Sequence, residues 1–125
     1  MANHRIKDSH ITSSSQLSTS AAAVHARLNS ARAWSPASGD TTPWLQIDFV
    51  EQVTLNEIQI QGSPADDNWV KNFTVFFSDN GIYFQNYSWD GAITVRKLCS
   101  IWFAFICMVS NDRENMHCNV MFTVT

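Results

Sequence analysis

The sequence predicts an all-β fold, built from antiparallel strands as a sandwich or barrel. Three observations predict it: short segments in which apolar and polar residues alternate, turn-forming Pro, Gly, Ser and Asn between them, and no apolar repeat of helical length.

The elements follow in order. Residues 9–20 are rich in Ser and Thr with isolated apolar positions, which suits an extended segment and loop, because these hydroxyls compete with the backbone for hydrogen bonds. Residues 21–28 carry at most a helical turn covering one end of the fold. Trp34-Ser35-Pro36-Ala37-Ser38-Gly39-Asp40-Thr41-Thr42-Pro43 is a loop. In Trp44-Leu45-Gln46-Ile47-Asp48-Phe49 the residues Leu45, Ile47 and Phe49 recur at the two-residue period of a half-buried strand. Leu55, Ile58 and Ile60 mark a second strand, ended by Gln61-Gly62. After a polar loop over 63–68, residues 69–77 read as a strand rich in aromatic and β-branched side chains. Ser78-Asp79-Asn80-Gly81 reads as a tight hairpin, since Asn-Gly accepts positive φ angles, with 82–87 as the returning strand.

Composition narrows the class. A chain of 125 residues supports one core, and five Trp, two Tyr and eight Phe rule out wholesale disorder. Eight Lys and Arg against eleven Asp and Glu, scattered along the chain, lack the clustered positive footprint that nucleic acid demands. Residues 1–12 contain no apolar h-region, so the expectation is no secretory signal: a cytoplasmic chain, or an internal piece of a larger multidomain protein. Cys99, Cys107 and Cys118 are odd in number and cannot all pair within one chain; with only His117 beside any of them, they read as buried thiols rather than zinc ligands.

The last third has a different texture. Residues 98–109 are almost continuously apolar, yet a dozen residues are too few to span a bilayer, which takes about twenty. Two readings stand: a buried strand, or a segment foreign to the fold.

Seven motifs follow one another in order: Ser9-His10-Ile11-Thr12-Ser13-Ser14-Ser15, Ala26-Arg27-Leu28-Asn29, Ala33-Trp34-Ser35-Pro36, Trp44-Leu45-Gln46-Ile47-Asp48-Phe49, Ile58-Gln59-Ile60-Gln61-Gly62, Trp69-Val70-Lys71 and Phe76-Phe77-Ser78-Asp79-Asn80-Gly81. Their order resembles a coagulation-factor type C (discoidin) domain. The match covers residues 9–91, taken as a partial domain, and leaves 92–125 as a divergent segment. It implies a galactose-binding-like jelly roll with ligand loops at one end, in which Trp34, Trp44, Asp48 and Gln61 are core or buried hydrogen-bonding residues rather than ligand contacts. Two departures stand out. The family's terminal disulfide has no first cysteine within residues 1–15, and the family's closing strands are not recognisable after residue 96. A sandwich without them is expected to expose sheet edges and to be marginally stable.

The resemblance also implies a non-enzymatic, extracellular or cell-surface adhesion module, generally joined to other domains, with cell-surface glycan or extracellular protein as ligand. By position the ligand loops are 16–24, 35–43 and 63–68. Membrane-binding members insert large apolar side chains. These loops offer only Leu17 and Val24, beside acidic Asp40, Asp66 and Asp67, so membrane insertion is disfavoured and a peripheral phospholipid-binding module is the alternative. Gln16, Ser35, Asp40, Asp66, Asp67 and Asn68 supply the donors and acceptors that a shallow sugar site needs, with Leu17 as an apolar contact. No cofactor is expected, although Asp66 and Asp67 have the oxygen chemistry of Ca²⁺ ligands. His10 and His25 lie near Ser-rich stretches, but no nucleophile elbow, phosphate loop or His-Glu-x-x-His pattern accompanies them, which leaves a hydrolase the weakest reading. Asn72-Phe73-Thr74 and Asn86-Tyr87-Ser88 are candidate N-glycosylation triplets if the chain enters the secretory pathway.

Overall fold

A computed structural model describes residues 6–52, 55–64, 70, 73–78, 80–86, 94–97, 103–109 and 117–124. Eight strands fall in these residues: β1 (Ile11–Ser13), β2 (Trp44–Gln52), β3 (Leu55–Gly62), β4 (Phe73–Ser78), β5 (Gln85–Asn86), β6 (Thr94–Lys97), β7 (Phe103–Val109) and β8 (His117–Val124). Among the described residues the only helical elements are three-residue 3₁₀ turns at Asp8–His10, Thr19–Ala21 and Ala23–His25. The all-β expectation holds.

The strands form two sheets, one five-stranded in the order β1-β2-β8-β4-β5 and one three-stranded in the order β6-β3-β7. Pairing is antiparallel except between β3 and β6. That parallel pair departs from the all-antiparallel expectation. It is possible because the chain between Gly62 and Thr94 passes through β4 and β5, far longer than the dozen residues a parallel return requires.

The period-two pattern explains which face each strand buries. Leu45 and Ile47 on β2, Ile58 and Ile60 on β3, and Val75 and Phe77 on β4 are buried, while Gln46, Gln59 and Phe76 between them are half-exposed. Register brings these positions into rows. Phe122 pairs with both Leu45 and Val75, and Val120 with both Ile47 and Phe77, so β8 aligns the inward positions of its two neighbours. Ile11 opposite Ile47 adds β1 to the same face. The resulting buried cluster draws on both sheets and includes Trp34, Ala23 and Ala26 from the segment between β1 and β2. Each fully enclosed Leu, Ile or Val side chain there contributes about 1.5 to 3 kcal/mol of transfer free energy.

The described strands of the C-terminal third are paired. Within residues 98–109, Phe103–Val109 form β7, which runs antiparallel to β3 from Gly62↔Phe103 to Leu55↔Val109, and 98–102 lie outside the described residues. β8 lies between β2 and β4, where a fold lacking it would have an open seam.

Three local expectations are corrected. The Asn80-Gly81 turn is not a two-residue hairpin, since the last pair of β4 with β5 is Phe77 with Gln85 and β4 runs on to Ser78. Among its described residues only Gly81 takes a positive φ, 71°. Asn80 instead spends its side chain, with Oδ1 accepting from the amides of Ile82 and Tyr83 at 2.9 and 3.0 Å, and Ser78 Oγ accepting from Gly81 N at 2.9 Å. Ile82 and Tyr83 are therefore exposed loop residues, and the described return strand is only Gln85–Asn86. Second, the strand expected over 69–77 begins at Phe73; Val70 is buried but outside it. Third, Asp48 is not interior, its side chain being 45% exposed. Its Oδ1 accepts from Val50 N at 2.8 Å, at a register shift where Val50 adopts φ 65°, a left-handed conformation unusual for a β-branched residue.

Candidate functional site

Direction places the candidate loops together. β2 and β4 both run antiparallel to β8, so both start at the same end of the sheet: Trp44 and Thr74 pair with the same residue, Thr123. The long segment between β1 and β2 leaves and re-enters the sheet at this end, where Ser13 pairs with Leu45 and Ser14 N donates to Trp44 O at 3.0 Å, and β4 begins here as well.

Hydrogen bonds tie this segment together around the buried Ala23, Ala26 and Trp34. Leu17 N donates to Ser35 O at 2.8 Å and Ser35 N to Ala21 O at 3.2 Å, which laces the 16–24 loop to the start of the 35–43 loop. Beneath them, buried Trp34 donates its indole Nε1–H to Ser15 O at 2.8 Å. An amphipathic ring suits this position because its body joins the core while its polar edge meets a loop carbonyl.

Asp40 closes the second loop. Its Oδ2 accepts from the hydroxyls of both Ser14 and Ser15, each at 2.5 Å, and its Oδ1 accepts from Thr42 N at 3.1 Å. The two hydroxyls accept in turn, Ser14 Oγ from Trp44 N at 3.0 Å and Ser15 Oγ from Ala37 N at 3.1 Å. The donated bonds from Ser14 first, then Ser15, with Thr42 N adding to them, hold the Asp40 carboxyl below its ordinary value against a smaller opposing effect of desolvation. The 35–43 loop is thus stapled to the residues that follow β1.

The structure brings four of the expected ligand residues to this end. Gln16 is exposed, Leu17 is 58% exposed, and Ser35 and Asp40 are half-buried. Asp40 reads differently once its partners are known: both carboxylate oxygens are engaged within the protein, so it positions the loop. Val24, the other apolar loop residue, is half-buried. Asp66, Asp67, Asn68 and Asn72 lie outside the described residues. Among the described residues there is no cluster of three or more His, Cys, Asp or Glu able to hold a metal ion.

Ser14 and Ser15 were not singled out as site residues. Their signal was a Ser13-Ser14-Ser15 run followed, 25 residues later, by an Asp in a Gly-Asp-Thr-Thr turn, and no local rule connects the two. His10 lies elsewhere: its Nδ1 is 3.7 Å from Asp48 Oδ2, and Asp48 follows β2's first half, away from the loop end. His25 belongs to a 3₁₀ turn and is half-buried. Among the described residues no helix is long and apolar enough to cross a membrane.

The family model of the F5/8 type C domain matches residues 10–100. The match takes in β1 to β6 and the whole stapled loop end, while β7 and β8 lie beyond it.

Proposed function

We propose, from the premise that the chain belongs to the F5/8 type C domain family, that it is a non-catalytic adhesion module which binds cell-surface glycan or extracellular protein through the 16–24 and 35–43 loops. Family membership carries the general statement, a binding module. The finer reading is supported by one observation: the loop end is preorganised by the Asp40 staple yet presents mainly polar groups. A rigid polar rim suits hydrogen-bonded recognition, because binding then orders few groups. Gln16 and Ser35 are the donors and acceptors, Leu17 a flanking apolar contact, and Asp40 the residue that holds them in place. Asp66, Asp67 and Asn68 join this rim in the proposal, with Ca²⁺ at the two aspartates as its optional extension.

Residues 9–91 form the recognition unit in this reading, and 92–125 complete the sheets. The location that follows is extracellular or cell-surface, within a larger protein. Exposed Leu17 keeps peripheral phospholipid binding as the second reading, although a single large apolar tip with no cationic neighbour in its loop gives little insertion energy.

The test is an immobilised-glycan array probed with the full chain beside phosphatidylserine vesicle sedimentation. The expected result is retention on a subset of glycans, reduced on the order of tenfold, about 1.4 kcal/mol, by Gln16→Ala with Leu17→Ala. Salt-resistant vesicle binding that Leu17→Ser abolishes, with no glycan retained, overturns it in favour of phospholipid.

A further inference from the structure

Asn86 of β5, at the outer edge of the five-stranded sheet among the described residues, begins one of the chain's two Asn-x-Ser/Thr triplets. We propose that Asn86 is an N-glycan acceptor and that its glycan shields the β5 edge of the sheet from pairing with another strand. This rests on the extracellular location proposed above.

The argument is one of placement. β5 is the outermost strand beside β4, and Asn86, opposite Phe76, is exposed at the end of that strand. A sheet edge presents backbone donors and acceptors to any extended chain, and natural proteins blunt such edges. A branched, hydrated glycan anchored at Asn86 occupies the volume an incoming strand must enter. In the other triplet, Thr74 is held inside the sheet by its pairing with Thr123 of β8. Asn86 is also compatible with ligand binding: β5 is three strand spacings from β2, roughly 14 Å, and Asn86 lies opposite the fourth residue of β4 rather than its loop-bearing start.

The chemistry needs only the activated oligosaccharide donor of the secretory pathway: the Asn86 side-chain amide nitrogen forms the bond to the sugar's anomeric carbon and loses a proton as the lipid pyrophosphate leaves. The experiment appends a cleavable leader to the full chain, so that entry into the secretory pathway is supplied, and uses an Asn72→Gln background to leave one triplet. The expected result is a single mass increment removed by peptide N-glycosidase with Asn86→Asp conversion, kept by Ser88→Thr and lost in Ser88→Ala. Absence of the increment in both the background and the Ser88→Thr variant overturns the acceptor assignment, and the two Ser88 variants separate lost acceptance from misfolding. After enzymatic release the protein should elute at a larger apparent size; unchanged elution overturns the shielding role. Expression without the leader, followed by fractionation, tests the location separately, since an intracellular chain there contradicts the location and leaves the acceptor result standing.

Discussion

Truncating Leu45 to alanine separates burial from composition, because the chain offers the same chemical change at Leu17. Leu45 is fully enclosed on β2, between Ser13 of β1 and Phe122 of β8, and belongs to the buried cluster shared by both sheets. Leu17 is 58% exposed at a loop. Removing an enclosed Leu side chain loses its transfer free energy and leaves a cavity, together about 3 to 5 kcal/mol, whereas an exposed substitution stays within about 0.5 kcal/mol. Domains of this size are stable by about 5 to 15 kcal/mol, so Leu45→Ala consumes a large fraction of the total. At roughly 3 to 5 °C per kcal/mol, Tm falls by about 9 to 25 °C. Urea unfolding followed by Trp fluorescence should show a lower midpoint for Leu45→Ala at unchanged slope, with Leu17→Ala superimposed on the parent. Equal effects at the two positions, or a loss under about 1 kcal/mol at Leu45, would refute the assignment of β2 to the centre of the core.

Three further outcomes are expected. Trp34→Phe should cost about 1 to 3 kcal/mol in urea unfolding, because it removes the bond from Nε1 to Ser15 O and leaves that carbonyl, among the described residues, with its bond from Ser13 Oγ. Val50→Gly should be neutral or stabilising by up to about 1 kcal/mol, since relief of a left-handed conformation offsets glycine's greater unfolded-state entropy, while Val75→Gly, buried at ordinary φ, should cost about 3 kcal/mol or more. The Asp40 carboxyl is held below its ordinary value, so its stabilisation is present above about pH 4 and is lost as pH falls through the lowered value; Asp40→Asn should flatten that acid limb of the stability profile, and an unchanged acid limb would contradict the staple.

Local patterning was enough to find β2 and β3, because Leu45, Ile47, Ile58 and Ile60 alternate and each strand buries one face. The same logic found β4 only in part. Its aromatic content marked a strand, but nothing local set its first residue at Phe73 rather than Trp69. The Asn80-Gly81 pair marked a turn, yet its width depended on which residues of β4 and β5 paired. β8 shows the limit most clearly: Val120, Phe122 and Val124 have strand periodicity, but insertion between β2 and β4 is a choice of partners made across 40 residues or more of chain. The loop end divides the same way. The family resemblance indicated, by position, which segments are the proposed ligand loops, while the Asp40 staple spans 25 and 26 residues to its serines and turned an expected ligand contact into a positioning residue.

The end proposed for recognition depends on β8 holding β2 and β4 two strand spacings apart, roughly 9.6 Å, since β2 and β4 both start at that end. Amide hydrogen exchange on the full chain, resolved residue by residue, tests this most directly. Residues 44–48 of β2, residues 73–78 of β4 and residues 119–123 of β8 should exchange together, at the slow rate set by global unfolding. Deleting residues 117–125 should release protection in β2 and β4 alike. Loop-like exchange in residues 119–123 of the full chain, or unchanged protection of β2 and β4 after the deletion, would contradict the account.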